Sequence, residues 1–204
     1  MKISPTLTEV KEIAKTGKYD ILPVNCEILS DFITPIEAMR ILQNVSTHCY
    51  LLESAQANEA WGRYTFLGYD PKLEINCIDG HMKLGKLSVE TENPSEYIRQ
   101  ILSEYKSPKF DYLPSFTGGL VGYFSYDYLG YKEKSIRGKA RDTEDFKDVD
   151  LMLFDKVIAF DNLCQKIILI ANMSLDAPET GYNKAIVELK QLRELLMHGE
   201  KKQN

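Results

Sequence analysis

Asp79-Gly80 stands between two short alternating runs, Leu73–Ile78 and His81–Leu84. An Asp-Gly pair accepts the positive φ angles of a two-residue turn whose twist matches that of paired strands. The two runs therefore predict an antiparallel hairpin. Gly85-Lys86 then turns the chain into a further strand over residues 87–91. Hairpins this tight leave no room for a helical crossover, so this part of the chain favours an α+β arrangement over a doubly wound one.

The rest of the pattern agrees. Extended segments are predicted over 21–29, 49–53, 61–68, 119–126, 151–160 and 167–173, the last two joined by a turn at Asp161-Asn162. Pro23 argues for an edge position for the first of them, because proline cannot donate to a ladder. Four helices interleave with these strands. The first has Ser4 as cap, Pro5 in its first turn and Leu7, Val10 and Ala14 on one face, ending at Gly17. The second opens with a capping box, Thr34-Pro35-Ile36-Glu37, and runs to about Asn44. The third starts at Asn93-Pro94-Ser95-Glu96 and places Tyr97, Ile98, Ile101, Leu102 and Tyr105 on one face. The last has Asp176 as cap, Pro178 and Glu179 in its first turn, and a stripe of Tyr182, Ala185, Leu189, Leu192 and Leu196. That stripe predicts packing against the protein's own sheet; little more than two heptads is too short for a coiled coil. The expected fold is α+β, with mixed, largely antiparallel sheets and flanking helices. The 204 residues fit one domain spanning 1–204.

Composition narrows the function classes. A net charge of −5 supplies no basic footprint for nucleic acid or anionic lipid, so neither a nucleic-acid nor a membrane partner is expected. No apolar run reaches the roughly 18 residues of a membrane span. Met1-Lys2-Ile3-Ser4-Pro5 is not the apolar core of a secretory signal, so a cytoplasmic protein is expected. Cys26, Cys49, Cys77 and Cys164 are widely spaced and form no zinc motif with His48, His81 or His198; they read as reduced packing residues. Residues 137–148 carry eight charges of both signs in twelve positions, the mark of a solvated loop. No nucleophile elbow, phosphate loop or zinc-protease motif is present. The glycines of residues 116–127 precede no helix suited to phosphate. They read as a strand that lets another backbone or a bulky ring approach closely.

Two stretches carry the functional signal: Leu51-Leu52-Glu53-Ser54 running on to Trp61-Gly62-Arg63-Tyr64-Thr65-Phe66, and Phe116-Thr117-Gly118-Gly119-Leu120-Val121-Gly122-Tyr123-Phe124-Ser125-Tyr126-Asp127. A small amphiphile such as an amino acid needs an acceptor for its ammonium, donors for its carboxylate and an apolar slot. Glu53 and Ser54 at a strand end supply the polar part and nearby aromatics the slot. The bland alternative is that Ser54 ends a strand and Arg63 lies on the surface.

These blocks, LLES at 51–54, WGRYTFLGYDP at 61–71 and FTGGLVGYFSYD at 116–127, resemble the N-terminal region of anthranilate synthase component I. The resemblance implies the N-terminal portion of the chorismate-utilising enzyme fold. That family converts chorismate to anthranilate and pyruvate in tryptophan biosynthesis. It uses Mg²⁺ and ammonia from a glutamine amidotransferase subunit, component II, and L-tryptophan inhibits it. By resemblance, Ser54 is a tryptophan ligand with Glu53 beside it, and Arg63 or Tyr64 is the downstream contact. The same resemblance puts the catalytic and magnesium-binding residues in a C-terminal chorismate-binding domain that these 204 residues do not include. The chain alone is therefore expected to be non-catalytic, with no cofactor of its own. The competing readings are a stand-alone amino-acid-binding module and the N-terminal region of an aminodeoxychorismate synthase.

Overall fold

A computed structural model describes residues 1–54, 62–133, 135 and 146–202. Trp61 and residues 137–145 of the charge-rich stretch lie outside the described residues. The elements in chain order are β1 (Ile3–Ser4), α1 (Leu7–Lys15), β2 (Ile21–Leu29), α2 (Pro35–Val45), β3 (Cys49–Leu52), β4 (Tyr64–Tyr69), β5 (Leu73–Ile78), β6 (His81–Leu84), β7 (Leu87–Glu90), α3 (Pro94–Ser103), β8 (Gly119–Phe124), β9 (Val149–Phe154), β10 (Lys156–Asp161), β11 (Lys166–Ser174) and α4 (Pro178–His198). A 3₁₀ helix, Tyr126–Tyr131, follows β8. The chain divides into two compact units. One comprises Met1–Asp70, Tyr105–Gly118 and Phe154–Asn204, and the other Pro71–Glu104 and Gly119–Leu153.

The first unit is built on a six-stranded sheet in the order β1-β2-β11-β10-β4-β3, with antiparallel pairing throughout. Alternation along the strands gives it two apolar faces. Val24 and Cys26 of β2, Ile158 and Phe160 of β10, and Leu169 and Ala171 of β11 pack under α1, α2 and α4. Val157, Ala159, Ile168 and Ile170 line the opposite face, where Phe110, Leu113 and Phe116 cover them. The whole predicted stripe of α4, from Tyr182 to Leu196, is buried on the first face. Fully burying a leucine of that stripe is worth about 1.5–3 kcal/mol, which is why this helix settles on its own sheet.

The second unit holds a five-stranded sheet in the order β7-β6-β5-β9-β8. The predicted hairpin is present, with Ile78 opposite His81 and φ angles of 49° at Asp79 and 86° at Gly80. The Gly80 amide donates to the Tyr131 hydroxyl at 2.7 Å, and that hydroxyl donates to Asp148 Oδ2 at 2.7 Å. The Asp79 amide donates to the same carboxylate oxygen at 2.8 Å. Burial pushes the Tyr131 phenol well above its ordinary value, so it stays protonated as the donor.

Several details depart from the sequence expectations. Helix α1 is capped by Thr6, whose hydroxyl accepts from the Glu9 amide, while Ser4 belongs to β1. The α2 capping box forms as expected. Asn93 makes no capping bond, because its amide donates to Glu96 and its carbonyl oxygen accepts from Ser95. Asp176 does not cap α4 either: its carboxylate accepts from Ser174 and the cap position is Ala177. Leu102 sits at the margin of the α3 stripe and is 44% exposed. The single strand expected over 151–160 is two strands, β9 in one sheet and β10 in the other, separated at Asp155. Strand β2 is penultimate, but β1 pairs only with Asn25 and Cys26, so Pro23 lies beyond the paired stretch.

Among the described residues, no helix is long and apolar enough to cross a membrane, and no group of three or more His, Cys, Asp or Glu could hold a metal ion. The four cysteines form no disulfide among the described residues, and Cys26 and Cys77 are buried. Burial pushes the Cys26 thiol up to about 11, which keeps it protonated and unreactive.

The glycine-rich block behaves as its composition implies. Gly122 has φ +153°, and a Cβ there would lie 2.0 Å from the Asp150 carbonyl oxygen. Both the backbone angle and the close approach demand glycine. Gly122→Ala is expected to destabilise the second unit by about 2 kcal/mol or more, seen as a lowered melting temperature. A melting temperature within a degree or so of the parent would show that β8 relaxes freely.

Candidate functional site

Strand β3 forms one edge of the six-stranded sheet and pairs only with β4, with Leu52 opposite Phe66. The ladder ends at that pair: Glu53 and Ser54 continue from the end of β3, and Tyr64 begins β4 two residues before Phe66. Glu53 and Ser54 leave the strand end exposed to solvent, and Tyr64 is half-buried. Both segments therefore lie at the same corner of the sheet, the end of the β3–β4 pair.

The face that carries Tyr64 is aromatic. Tyr64 lies 5.8 Å from Phe66, and Phe66 meets Phe116 edge-on at 5.6 Å. Phe116 meets Tyr50 at 6.4 Å, and Tyr50 packs edge-to-face on Phe154 at 4.7 Å. Edge-to-face pairing sets the positive rim of one ring against the negative face of the next. The Tyr50 ring lies directly across Gly68, where a Cβ would fall 2.2 Å from a ring carbon. Its hydroxyl is buried and has no hydrogen-bond partner among the described residues. Burial pushes this phenol well above its ordinary value, so it is a neutral donor surrounded by rings.

Arg63 is committed to an ion pair. Its Nε and Nη2 donate to Oδ1 and Oδ2 of Asp161 at 3.1 and 2.7 Å. Asp161 is only 1% exposed, and its Oδ1 also accepts from the amides of Leu163 and Cys164 at 3.2 and 3.0 Å. The guanidinium also lies over the Tyr64 ring, 4.8 Å from its centroid. Burial alone would raise the Asp161 carboxyl. The hydrogen bonds from Arg63 and the Cys164 amide outweigh it and hold the group at about 2. Hydrogen bonding to Asp161 pushes Arg63 in turn further above its ordinary value.

Three residues that shape this corner carry no signal in the sequence pattern that ties them to it. Asp161 reads as a turn residue; it is 98 positions from Arg63, and no spacing rule links the two. Tyr50 reads as one more apolar strand residue. Phe116 opens the glycine block, and its contacts with Phe66 and Tyr50 span about 50 and 66 positions, beyond any local pattern.

Because Asp161 titrates lower in the folded chain than its ordinary 3.8, the pair's stabilisation is present above about pH 4 and lost as pH falls through about 2. Arg63→Ala leaves a buried carboxylate unpaired and is expected to cost about 3 kcal/mol at neutral pH. Urea melts across that acid range should show the parent losing stability to this pair while the variant does not. Parallel pH slopes for the two proteins would disprove the pairing.

No family model matches the chain. Anthranilate synthase component 1 of Acetivibrio thermocellus is 34% identical over 198 residues, covering 94% of this chain and 39% of the relative. The Pseudomonas aeruginosa protein of that name is 35% identical over 196 residues, covering 92% and 39%. The crystal structure of anthranilate synthase component I from Streptococcus pneumoniae TIGR4 aligns with a TM-score of 0.52 at 25% identity, over 81% of this chain and 36% of that one. The chain spans about 39% of the length of these curated relatives. Its α+β, largely antiparallel architecture is that of the pneumococcal structure. The chain belongs to the anthranilate synthase component I family, in which it corresponds to the N-terminal region.

Proposed function

We propose that residues 1–204 are the regulatory region of an enzyme that forms anthranilate and pyruvate from chorismate, and that the β3 corner binds the inhibitor L-tryptophan. The observation that carries this reading is the corner itself: Glu53 and Ser54 leave edge strand β3 at the end of its ladder where Tyr64 begins β4, and Tyr64 opens the aromatic run through Phe66 and Phe116. Glu53 accepts from the ligand's ammonium, the Ser54 hydroxyl donates to its carboxylate, and the rings receive the indole. Between the two downstream candidates, Tyr64 is the better contact. Arg63 spends Nε and Nη2 on Asp161, which leaves only Nη1 for a ligand, and the guanidinium also lies over the Tyr64 ring.

In this reading catalysis lies outside the chain. Chorismate, Mg²⁺ and the ammonia delivered by the glutamine amidotransferase subunit act at a C-terminal chorismate-binding domain, and the assembly is cytoplasmic. Tryptophan inhibits by binding the inactive arrangement better than the active one, a coupling of about 1–3 kcal/mol.

In the complete enzyme, Ser54→Phe or Ser54→Arg is expected to raise the tryptophan inhibition midpoint at least about tenfold, with uninhibited chorismate turnover within about twofold. An unchanged midpoint in both variants would remove Ser54 from the site. The 204-residue chain with Mg²⁺ and ammonia should consume no chorismate; robust turnover would overturn the division of labour.

A further inference from the structure

The turn that joins β10 to β11, from Asp161 to Gln165, is bonded to the start of β4. Asp161 ends β10 opposite Tyr64 in the ladder, and the Asn162 amide donates to the Arg63 carbonyl oxygen at 2.9 Å. The Asn162 side-chain amide also donates to the Thr65 hydroxyl at 3.4 Å. The turn is folded around the Asp161 carboxylate, whose Oδ1 accepts from the amides of Leu163 and Cys164. An aspartate bonded to the backbone two and three residues on is a self-contained turn, which holds without help from a ligand.

That arrangement decides which partner positions the other. Asp161 is short, 1% exposed and tied to two amides, so its carboxylate is a fixed acceptor. Arg63 is long and partly exposed, and takes its place from that acceptor through Nε and Nη2. Two parallel bonds fix the plane of the guanidinium as well as its position. The guanidinium lies 4.8 Å from the centroid of the Tyr64 ring, where a cation is attracted to the negative ring face. Tyr64 lies in turn 5.8 Å from Phe66, on the face proposed to receive the indole. The order of the turn thus reaches the ring through one ion pair. A ring already in place spares a ligand the cost of ordering it.

We infer that the β10–β11 turn sets the affinity of the tryptophan corner, with Asp161 as a positioning residue that acts through Arg63 and Tyr64. The inference rests on the tryptophan reading and adds the source of the site's order. It also fixes the sign of the effect. If Asp161 merely competed with the ligand for Arg63, removing its charge would strengthen inhibition. As a positioning residue, its loss weakens inhibition.

The test is a pair of mutant cycles on tryptophan inhibition of the complete enzyme. Asp161→Asn keeps the shape of the side chain and removes the charge that holds the fork. It is expected to raise the tryptophan midpoint at least about fivefold. In a Tyr64→Leu background the same substitution should move the midpoint by less than about twofold, because the ring it acts through is gone. Arg63→Lys keeps a charge for the buried carboxylate, so the chain still folds, but it lacks the planar fork. It should match Asp161→Asn, both alone and with Tyr64→Leu. A midpoint that neither substitution raises would overturn the inference. So would an equal shift with and without the Tyr64 ring, the result of a general loosening of the fold. Ser54→Arg, run beside them, separates this inference from the reading beneath it. If Ser54→Arg alone raises the midpoint, the corner binds tryptophan and the turn does not set its affinity. If all three leave it unchanged, both fall.

Discussion

Strands β10 and β11 are buried on both faces of the six-stranded sheet, and the first unit is organised around that requirement. Val157 through Asp161 and Ile167 through Ala171 are buried without a break. A single amphipathic layer cannot cover such a pair, because successive side chains point to opposite sides. Helices α1, α2 and α4 take one side and the segment through Phe110, Leu113 and Phe116 takes the other. The second cover ends in aromatic rings at the β4–β3 edge, where Phe116 meets Phe66 and Tyr50. The corner proposed for tryptophan is where that cover ends, and the rings there continue the apolar layer over β10 and β11.

What the sequence disclosed follows the range of the interactions involved. The Asp79-Gly80 hairpin and the Thr34–Glu37 capping box are settled within four residues, and both form as the sequence implies. Asn93 and Asp176 fail as caps because another local partner, Glu96 or Ser174, takes the same side chain. Residues 151–160 look like one strand because both halves are apolar. That they belong to different sheets is decided by β5 on one side and β4 and β11 on the other, pairings no local pattern reveals. The site shows the same division. Glu53, Ser54 and Tyr64 were legible as a motif, whereas the Asp161 partner of Arg63 and the unpartnered hydroxyl of Tyr50 exist only in the packed chain.

Arg63 shows why residue type alone misleads. An arginine near an apolar slot reads naturally as a carboxylate receptor, since its planar fork matches that geometry. Here one edge of the fork, Nε and Nη2, is filled by Asp161, which is 1% exposed. Displacing Asp161 from that edge would strand a buried carboxylate unless it became protonated, and with its carboxyl held at about 2 it stays ionised at physiological pH. What remains for a ligand is Nη1, a donor without the two-point match that makes a free arginine a good carboxylate receptor. The same ion pair holds the guanidinium over the Tyr64 ring, so the arginine acts on the corner as much by placing that ring as by its charge.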